Sequence, residues 1–314
     1  MIILNKKLLI TIILLTSIYI ISFPKKETNF IMPKNNVIDH DYNYIDINYN
    51  DKHIKITLQN YIIGVVPAEM PASFHEEALK AQSIASRTYL INTMSTIPVD
   101  TTTNNQVYID ESAMKDKWGT DFEIYYNKIS KCVKDTKREI ITYNNQPIKA
   151  FYHSMSNGYT DSSINVFKEQ YDYLNITESH EQNTLKTITL SKQYFCTKLD
   201  IECSNITISN IKKDKSNRIE TITINNKTFT GINIRNLLSL RSTDFTINIL
   251  EDLVEITTNG YGHGVGMSQY GANYMANNNK TYKEILFHYY QNTEISIIYV
   301  YFFFYWKKLY IERK

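Results

Sequence analysis

One long helical segment among many short alternating ones predicts an α+β fold, and three observations carry that prediction. Ala78, Ala81, Ala85 and Tyr89 recur on one helical face behind a capping-box pair, Ser73 and Glu76. Residues 139–143, 148–153, 205–211 and 218–224 alternate in polarity or carry β-branched side chains. Two further helical stretches, 267–276 and 282–290, follow a Gly-rich turn. The expectation is a mixed α/β core with a strand-rich subdomain, preceded by an N-terminal membrane anchor.

The elements follow in chain order. Lys6 and Lys7 precede an uncharged run from Leu8 to Phe23, which as a helix reaches about 24 Å. No A-x-A pattern ends it, so residues 1–23 are expected to be an uncleaved signal anchor, with a cleaved signal peptide as the alternative. Either one exports the rest of the chain. Residues 24–49, with Pro24 and Pro33, read as an extracytoplasmic tether. Ile54, Ile56 and Leu58 alternate as in a half-buried strand, and Tyr61 to Val66 extends it as a buried apolar run that Pro67 stops. The capped helix follows, to about Ile91.

A Thr- and Asn-rich loop occupies 100–106, a second helix spans about 121–135, and Asn144-Asn145-Gln146-Pro147 is a hairpin turn. A short helix is expected over 231–240, with Ile232, Leu237 and Leu238 inward. From Ile295 to Trp306 the chain is almost wholly apolar, too short a stretch to span a bilayer. An interfacial anchor, a buried final strand, or a tail outside the functional domain (295–314) remain open.

Composition narrows the function. The chain is 43% hydrophobic with 34 Lys plus Arg against 32 Asp plus Glu, which excludes disorder and lacks the basic excess of a nucleic-acid binder. Its 25 tyrosines suit stacking on sugar rings, although an AT-rich genome inflates Tyr, Ile, Asn and Lys together. Cys132, Cys196 and Cys203 are expected as buried thiols, with a Cys196–Cys203 disulfide as the alternative outside the cytoplasm. The histidines form no H-E-x-x-H, and there is no G-x-S-x-G, Walker loop or dinucleotide fingerprint, so no metal and no cofactor are expected.

Glu69 is the candidate catalytic group. It stands among Val65, Val66, Ala68 and Met70, between Pro67 and Pro71, whose fixed φ stiffens the segment. Apolar surroundings disfavour its charged form, so it can hold a proton near neutral pH and donate it. An exposed glutamate in a turn is the alternative. His153, Ser154, Ser156 and Thr160 lie at the end of an expected strand, where short polar groups bond sugar hydroxyls or each other. His263 and Gln269, in the Gly-rich motif, are similar candidates.

Pro67-Ala68-Glu69-Met70-Pro71 with Glu77 to Tyr89, then Tyr152-His153-Ser154-Met155-Ser156-Asn157-Gly158-Tyr159-Thr160, then Gly260 to Ala272, resembles in order the three signatures of the stage II sporulation protein D family of cell-wall lytic transglycosylases. The resemblance covers about residues 50–294. It implies a peptidoglycan-cleaving domain around a long glycan groove, which breaks the β-1,4 bond between N-acetylmuramic acid and N-acetylglucosamine and leaves 1,6-anhydro ends. It implies Glu69 as catalytic residue, with Arg87 and Tyr173 among the groove residues. It also implies a single-pass protein in the engulfing septal membrane of a sporulating cell, working with a peptide-stripping amidase and a membrane partner of the engulfment machinery. A non-catalytic, glycan-binding enhancer of an amidase is the alternative.

Some residues depart from the family pattern. The loop before Gln106-Val107-Tyr108 has no Cys or His, so the zinc held by some members is not expected. Asn175 stands where a basic residue follows the Tyr-Leu pair, and Glu178, Glu181 and Gln182 offer no unique acidic equivalent. Helix geometry also separates Arg87 from Glu69: the fourteen residues from Ser73 to Arg87 rise about 21 Å. Unless the Glu69 segment folds back, Arg87 serves a neighbouring sugar or packs structurally.

Overall fold

The computed structural model describes residues 44–93, 98–102, 105–303 and 306–313, with side chains to residue 298; the expected anchor and most of the tether lie outside the described residues. Two antiparallel strands, β1 (Tyr44–Tyr49) and β2 (Lys52–Thr57), turn at Asn50 and Asp51, both at positive φ. Ile45 and Ile47 are buried, so residues 44–49 contribute to the core rather than to a tether.

The apolar run expected to continue this strand is instead a helix, α1 (Leu58–Glu69), capped by Thr57 Oγ1, which accepts from the Asn60 N–H at 3.1 Å. Tyr61, Ile62, Val65 and Val66 are fully buried. An apolar run wetted on no side has the same pattern as helix or strand, which is why periodicity misassigns it. Pro67 lies in the last turn rather than beyond it, and its carbonyl accepts from Lys117 Nζ at 2.8 Å.

α2 (Glu76–Thr93) is the hub of the larger core. Its cap is His75, whose Nδ1 accepts from the Glu77 N–H at 3.2 Å, and not the expected Ser73. The small side chains Ala78, Ala81 and Ala85 are fully buried and let other elements approach its axis. β3 (Val99–Asp100) joins β1 in parallel. Next come α3 (Glu111–Trp118), which the periodic pattern does not reveal, α4 (Phe122–Asp135), and the hairpin of β4 (Glu139–Tyr143) and β5 (Gln146–Pro147), turned at Asn144 and Asn145 as expected. β6 (Tyr152–His153) and α5 (Ser163–Phe167) complete the first half.

A second hydrophobic core follows. β7 (Leu185–Ser191), α6 (Lys192–Leu199), β8 (Ile208–Lys213), β9 (Ile219–Ile224), β10 (Lys227–Thr230), α7 (Gly231–Leu237), β11 (Asp244–Ile249) and β12 (Leu253–Asn259) enclose Phe195, Leu199, Ile222, Ile234 and Val254. Two antiparallel sheets, β10-β9-β8 and β11-β12-β7, form it. Cys196 and Cys203 are joined in a disulfide in this subdomain, which corrects the expectation of three thiols; Cys132 alone is a buried thiol. Closing so short a loop contributes about 2.5 kcal/mol. Thiol counting in denaturant should therefore find one reactive cysteine, and three after reduction, with a lower melting temperature for the reduced protein.

The chain then returns to the first core. β13 (Met267–Ser268) pairs in parallel with β6, and α8 (Gln269–Asn277) and α9 (Tyr282–Tyr289) pack on α2. β14 (Glu294–Phe303) joins β4 and pairs with β15 (Trp306–Arg313). Ile295 and Ile298 are buried, so of the three readings of the apolar tail the strand is the one seen. The fold is mixed α+β with several small sheets, and no helix among the described residues is long and apolar enough to cross a membrane.

Candidate active site

The site is built where three separated segments meet at the C-terminal end of α1. Glu69 is the last residue of that helix, half-buried, and its Oε1 accepts from the Val107 N–H at 3.1 Å. The side chains of Tyr152, on β6, and Gln269, at the start of α8, lie near enough to its carboxyl group to counter the effect of burial on its pKa. Burial raises the pKa of Glu69 in spite of these donors. The negative end of the α1 dipole acts in the same direction.

A second layer fixes the donors. Gln106 is 1% exposed; its Nε2 donates to Tyr152 Oη at 3.0 Å and to the Ser86 carbonyl at 3.2 Å, and its Oε1 accepts from Tyr61 Oη at 3.4 Å. The 106–109 segment reaches α1 because position 64 is glycine: a Cβ there would lie 2.1 Å from the Tyr108 ring. Gln106 and Tyr152 escape the sequence reading as site residues. Only the Gln-x-Tyr signature hints at the first.

His153 and Ser156 do come together, with His263 beside them. His153 is 4% exposed; its Nδ1 lies 3.2 Å from the Val265 carbonyl and its Nε2 2.8 Å from Ser156 Oγ. A carbonyl only accepts, so Nδ1 carries the proton and Nε2 accepts from the serine hydroxyl. His263 Nδ1 accepts from the Val265 N–H at 3.0 Å. Burial, the adjacent His263 and Arg218 hold His153 well below the usual histidine range, and burial with Arg235 and Arg218 pushes His263 down to about 4. Burial thus disfavours the doubly protonated, charged form of both imidazoles.

Among the acidic residues that follow Tyr173, Glu181 is drawn into the hydrogen bonding beside this pair. Its Oε1 accepts from Ser268 Oγ, from Ser179 Oγ at 2.8 Å and from the Ser156 N–H at 3.2 Å, and burial raises its pKa. It ties the His153–Ser156 turn to the start of α8, one residue from Gln269. Glu178, by contrast, is exposed and lies beside His180.

Other expected groove residues lie elsewhere. Arg87 is 1% exposed, and its guanidinium donates to the carbonyls of Thr136 at 2.8 Å, Glu139 at 2.9 Å and Val133 at 3.4 Å, closing the turn between α4 and β4. Burial lowers its pKa to about 10. Thr160 is buried, accepting from the Thr177 N–H at 2.9 Å and donating to the Asn175 carbonyl at 3.2 Å. Tyr173 is buried with its hydroxyl accepting from the Lys149 N–H at 3.1 Å. Ser154 is partly exposed, and its carbonyl accepts from the Tyr270 N–H at 3.1 Å.

The Gly-rich return is sterically demanding. Gly266 has φ +73°, and a Cβ there would fall 2.0 Å from the Phe151 carbonyl oxygen, beside the β6–β13 pairing. Gly266→Ala should cost on the order of 3 kcal/mol in a thermal melt and should lower binding or activity at the Glu69 site with it. Among the described residues, no cluster of three His, Cys, Asp or Glu is arranged to hold a metal ion.

Fold and site together define a two-core α+β protein with a half-buried carboxyl group at the end of α1, raised in pKa by burial and bonded by the Val107 N–H. Residues 49–143 match the sequence profile described as Stage II sporulation protein. The chain is 40% identical over 258 residues to stage II sporulation protein D of Bacillus subtilis (strain 168), covering 77% of this chain and 75% of that protein. It is likewise 40% identical over 256 residues to stage II sporulation protein D of Bacillus amyloliquefaciens, with 77% and 74% covered. An amidase enhancer of Bacillus subtilis (strain 168) is 30% identical over 293 residues, covering 74% of this chain and 40% of that protein. The chain belongs to the stage II sporulation protein D family.

Proposed function

We propose that the protein is a membrane-anchored lytic transglycosylase that cleaves peptide-stripped peptidoglycan strands during engulfment, beside an amidase and a membrane partner. The observation that carries the reading is Glu69 itself: a carboxyl group whose pKa burial raises, held by the Val107 N–H, with no other carboxylate among the causes of its shift. The nearest acids in sequence are engaged elsewhere, Glu77 with Lys80 and the Tyr282 N–H and Glu76 with Lys131.

One carboxyl group suffices for this chemistry. Protonated Glu69 gives its proton to the glycosidic oxygen as the C1–O bond breaks. The resulting carboxylate takes the proton of the muramyl C6 hydroxyl while that oxygen bonds to C1. Glu69 ends protonated, and no water is consumed. Hydrolysis would instead need a second carboxylate for a nucleophile or base. Support for the family relationship comes from the two sporulation proteins above, and the printed name of the amidase enhancer keeps a second reading open, a glycan-binding module that stimulates an amidase.

Mass analysis of strand ends separates these readings. The full chain incubated with stripped glycan strands should leave 1,6-anhydro ends. Reducing ends would mean hydrolysis, and intact but bound strands would favour the enhancer.

A further inference from the structure

The β14–β15 hairpin outruns the sheet that holds it. β4 pairs with β14 over Glu294 to Ile297, and the Ile298 N–H donates to the Arg138 carbonyl at 2.9 Å. β15 stays in register with β14 much further, as far as the Phe303–Trp306 pair. Among the described residues no third strand accompanies the hairpin beyond Ile298. From the Tyr299–Tyr310 pair to the Phe303–Trp306 pair the ribbon advances about 14 Å.

Two strands by themselves are marginally stable in water, and these two have a sequence that water suits badly. Positions alternate across a strand, so 299, 301 and 303 fall on one face of the ribbon and 300 and 302 on the other. Both sets are apolar or aromatic: Tyr299, Tyr301 and Phe303, then Val300 and Phe302. One flat protein surface would cover a single face and leave the other wet. An enclosing apolar medium covers both.

Charge decides the nature of that medium. Lys307 and Lys308 stand opposite Phe302 and Tyr301, one on each face, directly behind the Phe303–Trp306 end. Residues 299–310 contain no Asp or Glu. A second copy of the chain laid against this ribbon would therefore add lysines and no counter-charge. An anionic lipid surface supplies both needs, phosphates for the lysines and the boundary layer that tyrosine and tryptophan prefer.

We propose that the projecting part of the hairpin, residues 299–303 and 306–310, is a membrane-contact element whose aromatic end enters the interface of an anionic bilayer, with Lys307 and Lys308 at the headgroups. The contact is separate from the anchor expected of residues 1–23 and does not depend on the glycan-cleaving reading. Its consequence is orientation. β14 is fixed in the core sheet through the buried Ile295 and Ile298, so the contact sets how the larger core faces the bilayer.

Fluorescence can test this on the full chain. Trp118 and Trp306 are its two tryptophans, and the Trp118 ring packs on those of Phe122 and Tyr125, so Trp118→Phe keeps an aromatic ring there and leaves Trp306 as the reporter. That variant is reconstituted in vesicles of phosphatidylglycerol and phosphatidylcholine containing lipids with a nitroxide near the headgroup. Trp306 emission should be quenched by the nitroxide lipid and shielded from acrylamide in the water. The quenching should grow with the share of phosphatidylglycerol and fall when Lys307→Gln/Lys308→Gln is added, since two lost charges weaken partition about thirtyfold. Trp306 open to acrylamide and untouched by the nitroxide would overturn the proposal. Shielding from both quenchers would overturn it too, because the cover would then be protein, a second copy or another part of the chain. Lipid quenching indifferent to phosphatidylglycerol and to the lysine pair would overturn the choice of an anionic surface.

Discussion

Glu69→Gln should lower the rate of anhydro-end formation by about 10²- to 10⁴-fold, the usual contribution of a positioned acid–base group. Glutamine keeps the shape, and its amide oxygen can still accept from the Val107 N–H, so strand binding should persist. The same substitution should stabilise the protein at alkaline pH. The sign follows from linkage: burial raises the pKa of Glu69 above its unfolded value, so the folded state binds the proton more readily. Its contribution is fully present below the unfolded pKa and is lost as pH rises through the raised folded value. The variant's melting temperature should exceed that of the unmodified protein at pH 8, and the gap should close towards pH 4. Activity should fall over that same rise in pH, as the acid loses its proton. A variant that is less stable at pH 8, or equally active, would remove Glu69 from this role.

Arg87→Ala should destabilise the fold by about 3 kcal/mol or more, because it removes a buried charged donor shared by three carbonyls and leaves a cavity in its place. The carbonyls of Val133, Thr136 and Glu139 all lose a partner at once, and the turn joining α4 to β4 loses its brace. A substrate-binding arginine would behave otherwise: its loss would weaken glycan binding and leave thermal stability nearly unchanged. Denaturant midpoints and strand affinity measured on the same variant distinguish the two. Arg87→Lys should recover only part of the loss, since one ammonium cannot reproduce the planar fork that reaches three carbonyls.

Comparison of these two residues shows how the sequence was and was not legible. Glu69 could be found by eye because its environment is local: apolar neighbours and two prolines lie within three residues of it. Arg87 stands in a signature just as clear, yet its partners come from residues 133–139, and nothing in the helix face says that they will arrive there. The same limit hid Gln106 and Tyr152. Each is a single polar residue whose role depends on what is buried against it. The helix at 58–69 was misassigned for a related reason, since complete burial erases the amphipathic period that tells helix from strand.

What the sequence determined by itself was the inventory: the α+β class, the central helix, the Asn-Asn hairpin, the buried acid and the ordered motifs that mark the family. Those rest on properties encoded within one turn or one strand. The tertiary structure alone decided which polar residues are buried together, and so which become site and which become brace. It brought Val107, Tyr152 and Gln269 up to Glu69, tied Glu181 to Ser156 and Ser268, and joined Cys196 to Cys203. The physical reason is that desolvation and hydrogen-bond satisfaction depend on groups brought together from distant parts of the chain, which no local pattern records.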